Sequence, residues 1–160
     1  MFRATVLIVD DDENVRNGLG HALWKTEYKL CFAADPESAL DLLRTERVDI
    51  VLSDHLMPGM SGLDFLKIVR DRYPDTIRII LTGHADLETA VNSINQGEIY
   101  RFLLKPCERA ELLVTLHLAC DKLELERENR HLLALVRSQP DLLAKLEAEL
   151  EQRQAERTHR

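Results

Sequence analysis

The chain has 160 residues, 45% of them hydrophobic, enough for one domain with a proper core plus an extension. Its formal net charge of -7 argues against a nucleic-acid surface, because binding to phosphates is dominated by Lys and Arg. No stretch approaches the roughly 20 apolar residues that span a bilayer, and Met1-Phe2-Arg3 leads directly into a strand-length apolar run ending in acids, unlike a signal peptide.

The three cysteines, Cys31, Cys107 and Cys120, form neither a metal-ligand spacing nor an even set, so they read as reduced thiols of a cytoplasmic protein. The six histidines are scattered, and the bland reading, surface or helix-face histidine, applies to each.

In chain order, Val6 to Val9 is a short continuous apolar run, as expected of a strand covered on both faces. It runs into four consecutive acids, Asp10 to Glu13. Asn14 to about Thr26 then carries Val15, Leu19, Ala22 and Leu23 at helical spacing. Leu30 to Ala34 is a second strand. Asp35-Pro36 starts a helix, with Asp35 as N-cap and Pro36 at the first helical position. Asp49 to Ser53 is a third strand ending in Asp54, and "HLMPGMSG" is a loop punctuated by Pro58, Gly59 and Gly62.

Leu63 to Arg70 is helical, and Ile77 to Leu81 is a fourth strand ending in Thr82-Gly83. Leu87 to Gln96 is a helix that Gly97 terminates. Phe102 to Leu104 is a fifth strand ending in Lys105-Pro106, and a helix follows. Strand and helix thus alternate five times, which implies parallel strands joined by right-handed crossovers: an α/β, doubly wound five-stranded parallel sheet with helices on both faces. No GxGxxG or GxxxxGK loop follows any strand, so nucleotide-binding readings lack their phosphate cradle.

After Arg109 the character changes. Ala110 to Arg137 contains no Gly or Pro, and Leu118, Leu125 and Leu132 recur every seven residues with Lys122, Asn129 and Val136 four residues after each. This is a heptad with Leu at d, and a lone Asn at a favours parallel two-stranded pairing. Leu112, Leu113 and Leu116 are expected to pack on the domain itself, while Leu118, Leu125, Asn129, Leu132 and Val136 are expected to form the dimer seam. Ser138-Gln139-Pro140-Asp141 interrupts the pattern. Ser138 with Asp141 fits a capping box, and the helix beyond, with Leu143, Leu146 and Leu150, either kinks onward or turns back as a hairpin. The expected organisation is a globular domain over 1–120, a coiled-coil continuation over 121–137, and a second helical segment over 138–160 that frays from Glu151.

The chemistry collects at one end of the sheet. Asp10, Asp11 and Asp12 follow strand one, Asp54 ends strand three, Thr82 follows strand four and Lys105 follows strand five. Open α/β sheets bind ligands at that edge. Carboxylates this close stay ionised only with a counter-charge, which a hard divalent cation such as Mg²⁺ provides through oxygen ligands. A carboxylate beside such an ion can act as a nucleophile on phosphorus, and Lys105 and Thr82 supply the positive charge and hydroxyl that arriving phosphoryl oxygens require.

"LIVDDDENVR", "VLSDHLMPGMSG", "IILTGHAD" and "YRFLLKP" together resemble the receiver domain of two-component response regulators, over about Thr5 to Leu118. The resemblance implies that Asp54 is the phosphoacceptor, that Asp11 ligates Mg²⁺ (or Mn²⁺) directly and Asp10 through water, and that the backbone carbonyl of Leu56 is a third protein ligand. It implies Thr82 as the switch hydroxyl, Phe102 as the rotating aromatic and Lys105 as the phosphate-binding lysine. The donor it implies is a phosphohistidine on a sensor histidine kinase or phosphotransfer protein, and the domain is regulatory rather than a turnover enzyme. Leu56 and His84 fall where family side chains border the path of the attacking water, and a bulky Leu56 is expected to exclude that water and prolong the phosphorylated state. Asp12 and Glu13 fall outside the acid pair and are expected to serve the start of the first helix.

Two other readings compete. A haloacid-dehalogenase-like phosphatase also combines an aspartyl nucleophile with Thr, Lys and Mg²⁺, but Asp10-x-Asp12 is followed here by Glu13-Asn14, where that family has Gly-Thr. A phosphorylation-independent dimerisation or scaffold module would be expected to lose some of the pocket residues. "ELEQRQAERTHR" resembles helical linkers that precede output domains, which favours a regulatory part of something longer, with the output outside this chain.

Overall fold

The computed structural model describes residues 1–158. Five strands, β1 (Ala4–Val9), β2 (Tyr28–Ala33), β3 (Ile50–Asp54), β4 (Ile77–Thr82) and β5 (Arg101–Leu104), form one sheet in the order β2-β1-β3-β4-β5. Every pairing is parallel. The connections carry α1 (Glu13–Ala22), α2 (Pro36–Thr45), α3 (Gly62–Arg72) and α4 (Leu87–Asn95), the last preceded by a 3-10 turn at His84–Asp86. The doubly wound α/β sheet expected from the alternating apolar runs is therefore the observed fold.

Strand periodicity sorts the core into two layers. Val6 and Ile8 of β1, Ile50 and Leu52 of β3, and Ile77, Ile79 and Leu81 of β4 face one side, where Leu19 of α1, its C-cap Leu23, and Leu112, Leu116, Ala119 and Leu123 cover them. Leu7, Val9, Val51 and Ile80 face the other side, beneath Ala39, Leu43, Phe65, Leu66, Val69 and Ala90 of α2, α3 and α4.

Several boundaries differ from the sequence reading for local reasons. α1 ends at Ala22, not near Thr26: the Leu23 N–H bonds the Leu19 carbonyl and the Trp24 N–H the His21 carbonyl, Lys25 adopts φ 58, and the Thr26 hydroxyl donates to the Leu23 carbonyl at 2.5 Å. Asp35 caps α2 as expected, accepting from the Ser38 N–H at 2.7 Å. Gly97, at φ 73, follows α4 as its terminator.

The last helices are α5 (Arg109–Ser138) and α6 (Pro140–Thr158). The chain divides into two compact units, the first ending at Leu123 and the second beginning at Glu124. Within the first, α5 buries Leu112, Thr115, Leu116, Ala119, Cys120 and Leu123, so packing on the sheet continues past the boundary expected at 120. Within the second, α6 buries nothing.

The expected capping box at Ser138 is not formed. The Ser138 hydroxyl donates back to the Leu135 carbonyl at 2.8 Å, and it is the Gln139 carbonyl that accepts from Leu142 and Leu143. A serine at a helix C-terminus satisfies the preceding turn more readily than the next helix. α6 is helical to Thr158, as suits its Glu, Gln, Arg and Ala content. The part of the fraying expectation at positions 159 and 160 lies outside the described residues.

Candidate functional site

The register brings the sequence-predicted residues to one edge. Val9 pairs with Ser53, Asp54 with Leu81, and Thr82 with Leu104, so Asp10, Asp54, Thr82 and Lys105 follow one another along the C-terminal ends of β1, β3, β4 and β5. β1 and β3 are neighbours where the strand order reverses, the crevice in which doubly wound sheets hold ligands.

The four consecutive acids divide in space. Asp10 is 1% exposed; its Oδ1 accepts the Asp12 N–H at 2.9 Å, and its carbonyl accepts from the Arg16 guanidinium at 2.6 Å. Asp11 is exposed. Asp12 is the N-cap of α1, its Oδ1 accepting from the Asn14 N–H at 2.9 Å, and Glu13 occupies the first turn. The expectation that Asp12 and Glu13 serve the helix start thus has a direct geometric counterpart, with Asp12 making the cap.

Asp54 is 6% exposed at the end of β3. Its Oδ1 lies 2.7 Å from Lys105 Nζ, and the same ammonium reaches Asp10 Oδ2 at 3.3 Å. Oxygen atoms of Asp10, Asp11 and Asp54 all lie within 4.8 Å of one another. Three carboxylates against one ammonium leave two negative charges uncompensated within the cluster. An all-oxygen donor set with that surplus suits a hard divalent cation, so the residues present fit such an ion.

The electrostatics follow from burial and proximity. Burial pushes the Asp10 carboxyl above its ordinary value and the Asp54 charge adds to this, against the Asp12 N–H and Lys105. Burial works to lower Lys105, but the hydrogen bond and charge of Asp54, followed by Asp10, outweigh it and hold the ammonium above its ordinary range. Lys105 therefore stays charged at neutral pH.

Thr82 is buried, and its hydroxyl makes only a long contact to the Gly83 carbonyl, 3.4 Å. The Thr82 carbonyl accepts the Lys105 N–H at 2.9 Å, fixing the two strand ends together. Strand parity separates the parts: Asp10, Asp54 and Lys105 share the alternation of the α1/α5 face. Thr82 and Phe102 share that of the opposite face, where Phe102 packs half-buried against the second core layer. The side chain of Leu56 is 67% exposed two residues after Asp54, and His84 is exposed two residues after Thr82.

Two residues in the site escaped the sequence reading. Gly62 is more than loop punctuation: a Cβ there would sit 1.9 Å from the Asp54 carbonyl oxygen, and its N–H bonds the His55 carbonyl at 2.8 Å. Only glycine lets α3 start against the backbone of Asp54. The signal was its place immediately after Ser61, whose hydroxyl caps α3 by accepting from Asp64 N. Arg16, which clamps the β1–α1 turn, carried no signal, since an arginine on a helix usually faces solvent. Of the expected dimer residues, Leu118 and Val136 are half-buried, and Leu125, Asn129 and Leu132 are exposed.

The family model for the response regulator receiver domain matches residues 6–117. Among curated relatives, the hydrogenase transcriptional regulatory protein HoxA of Cupriavidus necator is 33% identical over 130 residues, covering 81% of this chain and 27% of that protein. A putative NtrX-like response regulator of Rickettsia bellii is 36% identical over 140 residues, 86% of this chain and 29% of that protein. Among solved structures, the signal receiver domain of an HD domain-containing protein from Pseudomonas fluorescens superposes with a TM-score of 0.72 at 40% identity, covering 76% of this chain and 98% of that one. NtrX from Brucella abortus superposes at 0.76 with 28% identity, over 82% of this chain and 30% of that one. The chain spans less than a third of the length of these two curated relatives. With the family model matched over residues 6–117 and the acidic edge in place, the chain belongs to the response regulator receiver domain family of two-component signalling.

Proposed function

We propose that this receiver accepts a phosphoryl group on Asp54 from a phosphohistidine of a sensor histidine kinase or phosphotransfer protein, in a Mg²⁺-dependent reaction. The observation that carries this reading is the contact of Asp54 Oδ1 with Lys105 at 2.7 Å beside the carboxylates of Asp10 and Asp11. An Asp54 carboxylate oxygen attacks phosphorus, the P–N bond to the donor imidazole breaks, and its electron pair returns to the ring nitrogen, which takes up a proton. The product is an acyl phosphate on Asp54.

Lys105 meets the incoming charge on the phosphoryl oxygens, and Thr82, whose hydroxyl has no strong partner, is available to donate to one of them. Asp10, Asp11, Asp54 and the Leu56 carbonyl would hold Mg²⁺ (or Mn²⁺), which when bound supplies the remaining positive charge. Phe102, one strand over and on the parity of Thr82, follows the hydroxyl inward. The signal leaves through α5 and a homodimer seam at Leu118, Leu125, Asn129, Leu132 and Val136.

The direct test is incubation with a small acyl phosphate and Mg²⁺, read by intact mass. Gain of one phosphoryl group, lost in Asp54→Ala, is expected. Gain retained in Asp54→Ala overturns the assignment, and no gain in the parent chain favours a scaffold that dimerises without phosphate. The seam is tested by comparing oligomeric state with and without a phosphate mimic, where identical behaviour counts against α5 as the lever. Exposed Leu56 is proposed to screen the acyl phosphate from water. Leu56→Asn is expected to lose phosphate several-fold faster, and an unchanged half-life would refute that role.

A further inference from the structure

The break at Gln139-Pro140 leaves the apolar phase of α5 intact. Counting heptads from Asn129 and Val136 at a places Leu143 and Leu150 at a and Leu146 at d, so the leucines of α6 fall on the same seam with no inserted or missing residue. Gln139 takes the intervening d position, and Pro140 sits at e, off the seam.

The backbone supports this count. Gln139 is the sole residue between the two helices, and its N–H bonds the Val136 carbonyl at 3.3 Å, which a helical Pro140 could not do for lack of a donor. Among described residues from 128 onward, only Val136 and Leu143 are half-buried, the others being exposed. These are the two a positions astride the break, which places them on one side of it. A hairpin that packed α6 back on α5 would cover the leucines of both, yet Leu132 is 52% exposed, Leu146 43% and Leu150 58%.

We propose that α6 extends the dimer seam, so that a second copy of this chain pairs in parallel from Leu125 to Leu150 rather than stopping at Val136. The proposal rests on the dimer reading given above and adds to it. The seam from Leu118 to Val136 runs to less than three heptads, whereas Leu118 to Leu150 exceeds four. A second copy is the occupant that suits the seam's two amides. In a parallel pair, Asn129 and Gln139 each meet their own counterpart and can exchange amide hydrogen bonds, whereas an unrelated helix would have to supply polar partners at both levels. Leu133 at e, with Leu135 and Leu142 at g, widens the covered stripe around the break. Arg153 at d and Arg157 at a end it.

The test uses the full chain with single cysteines at Leu125→Cys (d), Leu146→Cys (d) or Ala148→Cys (f), oxidised under identical conditions. The unsubstituted chain scores any dimer formed by the buried Cys120 or the half-buried Cys31 and Cys107. The expected result is disulfide-linked dimer for Leu125→Cys and Leu146→Cys, several-fold above the parent and above Ala148→Cys. Linkage at 125 without linkage at 146 overturns the extension and leaves the shorter dimer standing. Linkage at neither overturns both. Equal linkage at 146 and 148, or linkage only when the 125 and 146 variants are mixed, overturns the parallel in-phase pairing.

Discussion

Leucine does opposite work on the two sides of Leu123. Before it, Leu7, Leu52, Leu66, Leu112 and Leu116 are sealed between sheet and helices. After it, Leu125, Leu132, Leu133, Leu135, Leu142, Leu146 and Leu150 all face solvent. The first unit closes its own core. The second displays a seven-residue apolar repeat that its own residues do not cover, the face that the proposed seam would bury. A helix of this kind takes its stability from tertiary or quaternary packing more than from propensity.

The largest effect that would sharpen this contrast lies in the site itself. Asp11 is exposed and makes no contribution to the core, so Asp11→Ala is expected to abolish Mg²⁺-dependent phosphorylation, read by intact mass, while leaving the unfolding midpoint unchanged. Phosphorylation at the parent rate would remove Asp11 from the metal site. Next comes a matched pair of leucines. Leu52→Ala, in the middle of β3, should cost about 2–5 kcal/mol in denaturant unfolding. Leu132→Ala should change unfolding of the dilute protein by less than about 0.5 kcal/mol yet weaken self-association in sedimentation. Equal losses in both would break the comparison.

A smaller effect tests the cost of the acidic edge. Asp10 has its carboxyl held above the ordinary value, first by burial and then by Asp54. The native state therefore holds that proton more tightly than the unfolded chain. Stability falls as pH rises from the ordinary carboxylate value through the raised one. Asp10→Asn should raise stability at pH 7 by on the order of 1 kcal/mol, flatten that pH dependence and impair phosphorylation. A less stable Asp10→Asn at neutral pH would show that the Lys105 contact outweighs burial. The smallest effects concern the neighbouring acids. Asp12→Ala should cost about 1 kcal/mol through the lost α1 cap, and Glu13→Ala only about 0.3 kcal/mol through the helix dipole, both by thermal unfolding and with phosphorylation retained.

The fold was legible because each strand is a short apolar run bounded by punctuation and each connection carries a helical stripe. The edge was legible because parallel topology forces the ends of β1, β3, β4 and β5 together, whatever the loops do. What stayed hidden depended on three-dimensional contact. Arg16 reaches the Asp10 carbonyl from the first turns of α1, and nothing in the spacing distinguishes it from a solvated arginine. Ser138 and Asp141 satisfied a capping pattern that the chain did not use, because the serine hydroxyl had a nearer carbonyl behind it. The extent of α5 packing, to Leu123, depended on the length of the sheet it crosses rather than on its heptads.

Gly62 carries a consequence for how this sequence can drift. With the Asp54 carbonyl 1.9 Å from where any Cβ would stand, every substitution there must first move the backbone of Asp54, the proposed phosphoacceptor. Point changes at 62 therefore reach selection as defects of Asp54 rather than as defects of α3. A lineage that needs Asp54 held in this position is held to glycine at 62, and one that does not is free to lose it. The residue with no side chain is thus a marker, readable from a single sequence, of whether a descendant of this chain can still keep Asp54 in place.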